Sequence, residues 1–131
     1  MITSNFRQTP AGTPGAIAIS RSVPRYRKYA RYPELKPGKD WFRSAPEDEY
    51  VRLYGEILAG LDAQTVWDEL HELADGAEPI LLCFEAPGEF CHRRIVAKWF
   101  ERELGVNVSE GKYDAALGKC VANEMQIAIA V

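Results

Sequence analysis

The chain has 131 residues, of which 47% are hydrophobic and 27% charged, and its net charge is −3. This balance excludes a disordered protein and predicts one small domain, residues 1–131, with a modest core. No apolar run approaches the ~20 residues needed to span a bilayer, and no basic start precedes an apolar stretch as in a signal peptide, so a cytoplasmic location without a membrane partner is expected.

The first third of the chain is predicted to contain one short strand between two irregular segments. Residues 1–15 are rich in Thr, Ser, Pro and Gly, which predicts an irregular lead-in. The apolar run at 16–20 predicts a buried strand. Prolines and a glycine interrupt residues 21–43, which predicts a long loop without regular structure.

Two helices and a second strand are predicted to follow this loop. The Ser-x-x-Glu spacing at 44–47 predicts a capping box and a helix that ends near Ala59. Asp62 suits the N-cap of a second helix, and Gly76 suits its end. The apolar run at 80–84 predicts the next buried strand.

The last third is predicted to alternate between helix and strand. Apolar residues at helical spacing predict a helix over 91–104, which Gly105 ends. Residues 106–108 are predicted as a short strand and residues 113–125 as a helix. The final apolar run, 126–131, is predicted as the last strand.

Helices that lie between apolar strands imply parallel pairing with right-handed crossovers. The predicted fold is therefore an α/β domain with a mainly parallel sheet and helices packed on its faces. In such sheets the ligand site lies beyond the carboxyl ends of the strands. Two of these ends carry polar or reactive side chains, with Ser20 and Arg21 after the first strand and Cys83 and Glu85 after the second.

The stretch LLCFEAPGEFCHRRIVAKWF concentrates reactive side chains around one turn between a strand and a helix. Cys83 and Glu85 are two residues apart, so they leave the strand on the same side. Cys91 lies where the helix begins, and a helix N-terminus makes a thiol easier to ionise. His92 is a candidate proton carrier near neutral pH. Arg93 is expected to point into a crevice between the end of the strand and the start of the helix.

This cluster has several interpretations. As catalytic residues, Cys91 or Glu85 would supply the nucleophile or base, with His92 as proton carrier and Cys83 beside them. As structural residues, the cysteines would pack in the core and Glu85 would only pair with an arginine. A redox pair lacks the Cys-x-x-Cys spacing, and seven residues between Cys83 and Cys91 disfavour zinc. No metal or cofactor is expected, and three cysteines, an odd number, predict reduced thiols.

A basic segment precedes this turn in the chain. Between Arg21 and Lys39 there are seven basic residues and one acidic residue, a net charge of +6, which leaves −9 on the remainder. Such a patch indicates an anionic partner. Aromatic residues alternate with the basic ones, a combination that suits phosphates and unpaired bases. The candidate ligand-binding residues are Ser20, Arg21, Arg25, Tyr26 and Arg93. Alternatively, the tyrosines cover the core and the arginines stay solvated or pair with acids at 47–49.

The order of strand, Cys-x-Glu, short gap and then Cys-His-Arg at a helix start resembles the DUF488 family. The matching positions here are Cys83, Glu85, Cys91, His92 and Arg93. The segments AIAISRSVPRY and YPELKPGKDWF are similar to a short branch of that family, with Ser20 and Arg21 where longer members have Asp-x-Arg. The resemblance covers about residues 16–110. It implies an α/β fold and a shared polar site, without an established reaction, and its association with phage and bacterial defence or DNA-processing gene sets implies a nucleotide or nucleic-acid ligand.

Three functional hypotheses follow from the sequence. The first is an enzyme that acts on a phosphate-bearing nucleotide or nucleic acid bound in the crevice. The second is a non-catalytic binding module for the same ligands. The third is a thiol-redox or zinc-binding protein that uses the cysteines themselves.

Overall fold

The computed structural model describes residues 1–123, in which a six-stranded sheet carries three α-helices. The strands are β1 (Ile2–Asn5), β2 (Ala16–Ala18), β3 (Ala30–Arg31), β4 (Ile80–Cys83), β5 (Ser109–Asp114) and β6 (Lys119–Ala122). The helices are α1 (Glu47–Ala59), α2 (Ala63–Leu73) and α3 (His92–Leu104). No helix within this described part is long and apolar enough to cross a membrane.

The sheet has the order β3-β2-β4-β1-β5-β6. The first five strands in this order pair in parallel, and β6 joins β5 in antiparallel orientation. The parallel register sets Cys83 of β4 opposite Asn5 of β1. These findings confirm the predicted α/β fold with a mainly parallel sheet.

The two faces of the sheet bury different side chains, because successive strand residues point to opposite sides. Ile17 and Leu81 belong to the larger core, which contains the buried apolar residues of all three helices. Their neighbours Ala18 and Leu82 belong to a smaller core on the other face, which Phe6 and partly buried side chains from loops cover. The helices therefore pack on one face, and irregular segments protect the other.

The predicted irregular lead-in is wrong over its first residues, because β1 is an inner strand between β4 and β5. Its polar side chains are buried but satisfied. Thr3 donates to the Glu110 carboxylate at 3.1 Å, and Ser4 donates to the backbone oxygen of Gly111 at 2.7 Å. Buried hydroxyls with such partners are compatible with a sheet interior.

The C-terminal predictions are also wrong within the described residues. Residues 106–108 do not form a strand, and residues 113–122 form part of the β5–β6 hairpin instead of a helix. The turn explains this result, since the Asp114 carboxylate accepts hydrogen bonds from two following backbone amides at 2.9 and 3.2 Å. Gly118 adopts a positive φ of 67° that closes the hairpin. The predicted last strand, 126–131, lies outside the described residues.

Two of the four predicted helix-end signals are confirmed, and α2 ends at Leu73, three residues before the predicted Gly76. Asp62 caps α2 by accepting a hydrogen bond from the amide of Thr65 at 3.0 Å, and Gly105 ends α3 with a φ of 67°. The predicted capping box at Ser44 is wrong, because Pro46 occupies the N-cap of α1 and no side chain caps it.

The predicted loop over 21–43 is irregular except for β3 and a short 3₁₀ turn, Pro33–Leu35. The Tyr54 hydroxyl, which is fully buried on α1, donates to the backbone oxygen of Leu35 at 2.6 Å. This bond holds the loop against the helix layer and brings the segment after Pro37 to the carboxyl end of the sheet.

Candidate functional site

A cavity of about 530 Å³ lies at the carboxyl ends of β2 and β4. Three segments provide most of its lining. They are residues 20–22 after β2, several residues of the segment 37–45 before α1, and several residues of the segment 83–92 between β4 and α3. This is the edge at which a parallel sheet is expected to bind ligands. We call this cavity the crevice.

Cys83 and Cys91 form a disulfide on the wall of the crevice. Cys83 is the last residue of β4 and Cys91 is the N-cap of α3, so the turn between them brings their sulfurs together. The prediction of reduced thiols is therefore wrong for this pair. The odd number of cysteines arises because Cys120, buried on β6, is free.

His92 is buried beside this disulfide. Its Nε2 lies 2.9 Å from the backbone oxygen of Ile19, which can only accept, so Nε2 carries the hydrogen and Nδ1 holds a lone pair. The Nδ1 atom lies 3.8 Å from the sulfur of Cys91. Burial, and to a lesser extent the charge of Arg93, lowers the pKa of His92 to about 4. The ring is therefore neutral near pH 7, away from the titration range that the sequence predicts.

Arg93 lies beneath the crevice with no exposed side-chain surface. Its Nε donates to both carboxylate oxygens of Glu110, at 3.1 and 3.2 Å. Its Nη1 donates to the sulfur of Cys83 at 3.1 Å and to the backbone oxygen of Glu85 at 2.9 Å. The guanidinium thus links the turn between β4 and α3 to β5. Arg93 was predicted to bind a ligand, whereas here its side chain is buried and bonded to the protein itself.

Glu85 faces the crevice with an unusual carboxylate. Its Oε2 is buried, and no hydrogen-bond partner for it exists among residues 1–123. Burial and, secondarily, the negative charge of Glu85 raise the pKa of Tyr50, which lines the same cavity, well above its usual value. A buried carboxylate oxygen is stabilised by a hydrogen-bond donor, so a donor group of a bound ligand would be favoured at this position.

Two arginines line the crevice, and one of them is absent from the sequence prediction. The Nη1 of Arg21 donates to the backbone oxygen of Pro37 at 2.7 Å. The guanidinium carbons of Arg21 and Arg43 lie 5.8 and 5.1 Å from the centre of the Phe42 ring. Neither arginine forms an ion pair with a residue in the described part of the chain. The alternation of basic and aromatic residues over 21–43 is the sequence pattern that could have identified Arg43 as a ligand-binding residue.

The remaining predicted ligand residues divide between the crevice and the surface. Ser20 lines the crevice, where its hydroxyl donates to the backbone oxygen of Ser22. Arg25 and Tyr26 are exposed and do not line it, and Tyr26 is 98% exposed. The fold therefore brings Ser20 and Arg21 to the cysteine turn but leaves Arg25 and Tyr26 on the outside of the loop.

The crevice also contains a set of potential metal ligands. One ligand atom each from Cys83, Cys91 and His92 lies within 4.8 Å of the others. The spacing along the sequence disfavoured zinc because the two thiols are not close neighbours in the chain. The strand-to-helix turn supplies in space the proximity that the sequence spacing lacks.

A family model described as "Domain of unknown function DUF488" matches residues 16–100. This span contains β2, β4 and both halves of the cysteine turn, as well as every residue predicted for the site. No curated protein and no solved structure matches the chain.

Proposed function

The chain belongs to the DUF488 family, and we propose that its crevice binds a phosphate-bearing nucleotide or nucleic-acid ligand. The observation that carries this proposal is the presence of Arg21 and Arg43 in one cavity, without an ion-pair partner among residues 1–123. Guanidinium groups bind phosphate oxygens through paired charge-assisted hydrogen bonds. These two side chains take the role that the sequence assigned jointly to Arg21 and Arg93.

The shape and lining of the crevice suit a nucleotide. Its volume of about 530 Å³ lies within the usual range of small-molecule sites. The rings of Phe42, Phe84 and Phe90 line it together with the two arginines. Phe84 is 51% exposed and Phe90 is 37% exposed. Exposed rings beside cations favour a ligand that combines a flat base with a phosphate.

Glu85 and Cys91 are the proposed catalytic residues. The unpartnered carboxylate oxygen of Glu85 suits a general base or a nucleophile towards a ligand in the crevice. Cys91 supplies a thiolate only after its disulfide with Cys83 is reduced. His92 would then accept a hydrogen bond from the Cys91 thiol at Nδ1, with Ile19 holding the ring in the required tautomer, while the lowered pKa of the ring disfavours full transfer of the proton.

Arg25 and Tyr26 extend the proposed site for longer ligands. Both are exposed on the same basic loop as Arg21. A single strand whose terminal phosphate occupies the crevice would place its next nucleotides near this loop. Basic side chains would contact its backbone and the tyrosine would stack on a base.

We expect Arg21→Ala to weaken the binding of a short 5′-phosphorylated single-stranded oligonucleotide by at least about tenfold, because a charge-assisted hydrogen bond contributes about 1.5–3 kcal/mol. Fluorescence anisotropy at one fixed salt concentration measures this change. Arg52→Ala is the matched control, since it removes the same charge from the exposed side of α1. Equal affinities of wild type and Arg21→Ala, or no preference for the phosphorylated strand, would contradict the proposal.

Glu85→Gln separates the enzyme from the binding module. If Glu85 is catalytic, the variant retains the affinity for the oligonucleotide and loses turnover of it. If the protein is a non-catalytic module, no chemical change of the bound oligonucleotide occurs in either protein. Mass spectrometry of the incubated oligonucleotide distinguishes these outcomes.

A thiol–disulfide function is the second candidate, favoured by the Cys83–Cys91 disulfide. The guanidinium of Arg93, 3.1 Å from the sulfur of Cys83, favours the thiolate that disulfide exchange requires. We expect mild reduction of the folded protein to raise the number of thiols that are alkylated after denaturation from one, that of Cys120, to three. Mass spectrometry after alkylation counts them, and an unchanged number of reactive thiols would contradict this function.

A further inference from the structure

Three donor atoms that zinc prefers converge where β4 meets α3. The ligand atoms of Cys83, Cys91 and His92 lie within 4.8 Å of one another. Zinc binds cysteine sulfur at about 2.3 Å and histidine nitrogen at about 2.0–2.1 Å, so two ligands of a tetrahedral site lie roughly 3.3–3.8 Å apart. The 3.8 Å between the Cys91 sulfur and the His92 Nδ1 is already within this range.

The surroundings of His92 prepare it as a ligand. A histidine that binds zinc through one nitrogen usually donates the other N–H to a carbonyl or carboxylate, which fixes the tautomer and the ring orientation. Here Nε2 donates to the backbone oxygen of Ile19 at 2.9 Å, and the free lone pair of Nδ1 faces Cys91. The ring is thus already held in the ligating form.

The surroundings of Cys83 also favour a bound thiolate. Arg93 donates from Nη1 to its sulfur at 3.1 Å, which stabilises negative charge there. The same guanidinium pairs with Glu110, so its own charge is compensated on the side away from the sulfur. The arginine therefore supports the thiolate without adding an unpaired positive charge beside a cation.

A three-residue ligand set leaves a fourth position, as in catalytic zinc sites. The crevice that contains Cys83, Cys91 and His92 also contains Glu85, whose Oε2 is buried without a hydrogen-bond partner among the described residues.

We propose that Cys83, Cys91 and His92 form a zinc site in the reduced protein, and that formation of the Cys83–Cys91 disulfide abolishes it. Reduction adds two electrons and two protons to the disulfide and gives two thiols. Two thiol groups of a reductant supply both and become a disulfide, whereas a phosphine supplies the electrons, water supplies the protons, and the phosphine is left as its oxide. Zinc binding releases these two protons as the two sulfur–metal bonds form. Oxidation by a small-molecule disulfide removes two electrons from the thiolates, reforms the sulfur–sulfur bond and expels the ion. This site does not require phosphate binding by Arg21 and Arg43. However, a bound metal occupies Cys91 and His92 and so excludes their proposed catalytic role while it is present.

Cobalt(II) titration of the full-length protein, after reduction with a phosphine and removal of oxygen, tests this site. We expect one equivalent of Co²⁺ to bind and to show the thiolate-to-metal charge-transfer absorption, and one equivalent of Zn²⁺ to abolish that absorption. Cys83→Ser and Cys91→Ser should each lose or strongly weaken it. Cys120→Ser is the matched control, because it removes a buried thiol outside the cluster, and it should bind as wild type does.

Oxidised and reduced wild type provide a comparison in which no substitution can disturb folding. Binding must be confined to the reduced form, and circular dichroism of each variant establishes that it is folded. Equal binding by oxidised wild type, no stoichiometric binding by reduced wild type, or dependence of the absorption on Cys120 would overturn the proposal. Failure of the oligonucleotide experiment would not affect it, since that experiment concerns Arg21 and phosphate.

Discussion

Replacement of Arg93 by methionine is expected to lower the free energy of unfolding by about 3–5 kcal/mol, because it breaks the buried ion pair with the carboxylate of Glu110. The same change removes the hydrogen bonds to the sulfur of Cys83 and the backbone oxygen of Glu85. Urea denaturation of the oxidised protein measures the loss. Arg52→Met, which breaks only exposed ion pairs on α1, should cost less than about 1 kcal/mol.

A double-mutant cycle isolates the ion pair from the other bonds of Arg93. Arg93→Met and Glu110→Leu together should be less destabilising than the sum of the single changes by about 1 kcal/mol or more, because each single change already breaks the same ion pair. If Arg93→Met unfolds at the urea concentration of wild type, the guanidinium is not a structural support of the turn. Arg93 would then return as a candidate ligand for phosphate.

The sequence predicts those parts of the fold whose signals are local. Asp62 and Gly105 mark helix ends through their own side chain or backbone freedom, so their roles are readable without knowledge of the fold. The strand β1 has the polar composition of a loop, and only the distant partners Glu110 and Gly111 make it acceptable in the sheet. Because these hydrogen-bond partners are more than 100 residues away in the sequence, no local pattern around β1 reveals them.

The candidate site shows the same division between local and distant information. The rule that ligands bind beyond the carboxyl ends of parallel strands correctly brought Arg21 and the cysteine turn to one crevice. It could not show that Glu110, seventeen residues after Arg93, would bind its guanidinium from β5. Cysteine spacing likewise failed, because it measures distance along the chain while the β4–α3 turn determines the distance between Cys83 and Cys91.

His92 is expected to make the stability of the oxidised, metal-free protein strongly dependent on pH in the acid range. Its pKa falls from 6.5 to about 4 on folding because the ring is buried. Below about pH 6.5 the unfolded chain takes up a proton at this ring while the folded protein does not. Stability is therefore full above pH 6.5 and is lost progressively as the pH falls towards 4, by about 3 kcal/mol at 1.36 kcal/mol per pH unit.

Comparison with His92→Gln separates this contribution from the titration of the many carboxylates, which both proteins share. We expect the wild-type free energy of unfolding in urea to fall more steeply than that of the variant between pH 6.5 and 4, with the two profiles parallel above pH 7. His71→Gln, at a half-buried position of α2, controls for the loss of an imidazole as such. Parallel profiles of wild type and His92→Gln throughout would mean that the ring takes up its proton equally in both states, and would contradict a pKa of His92 lowered by burial.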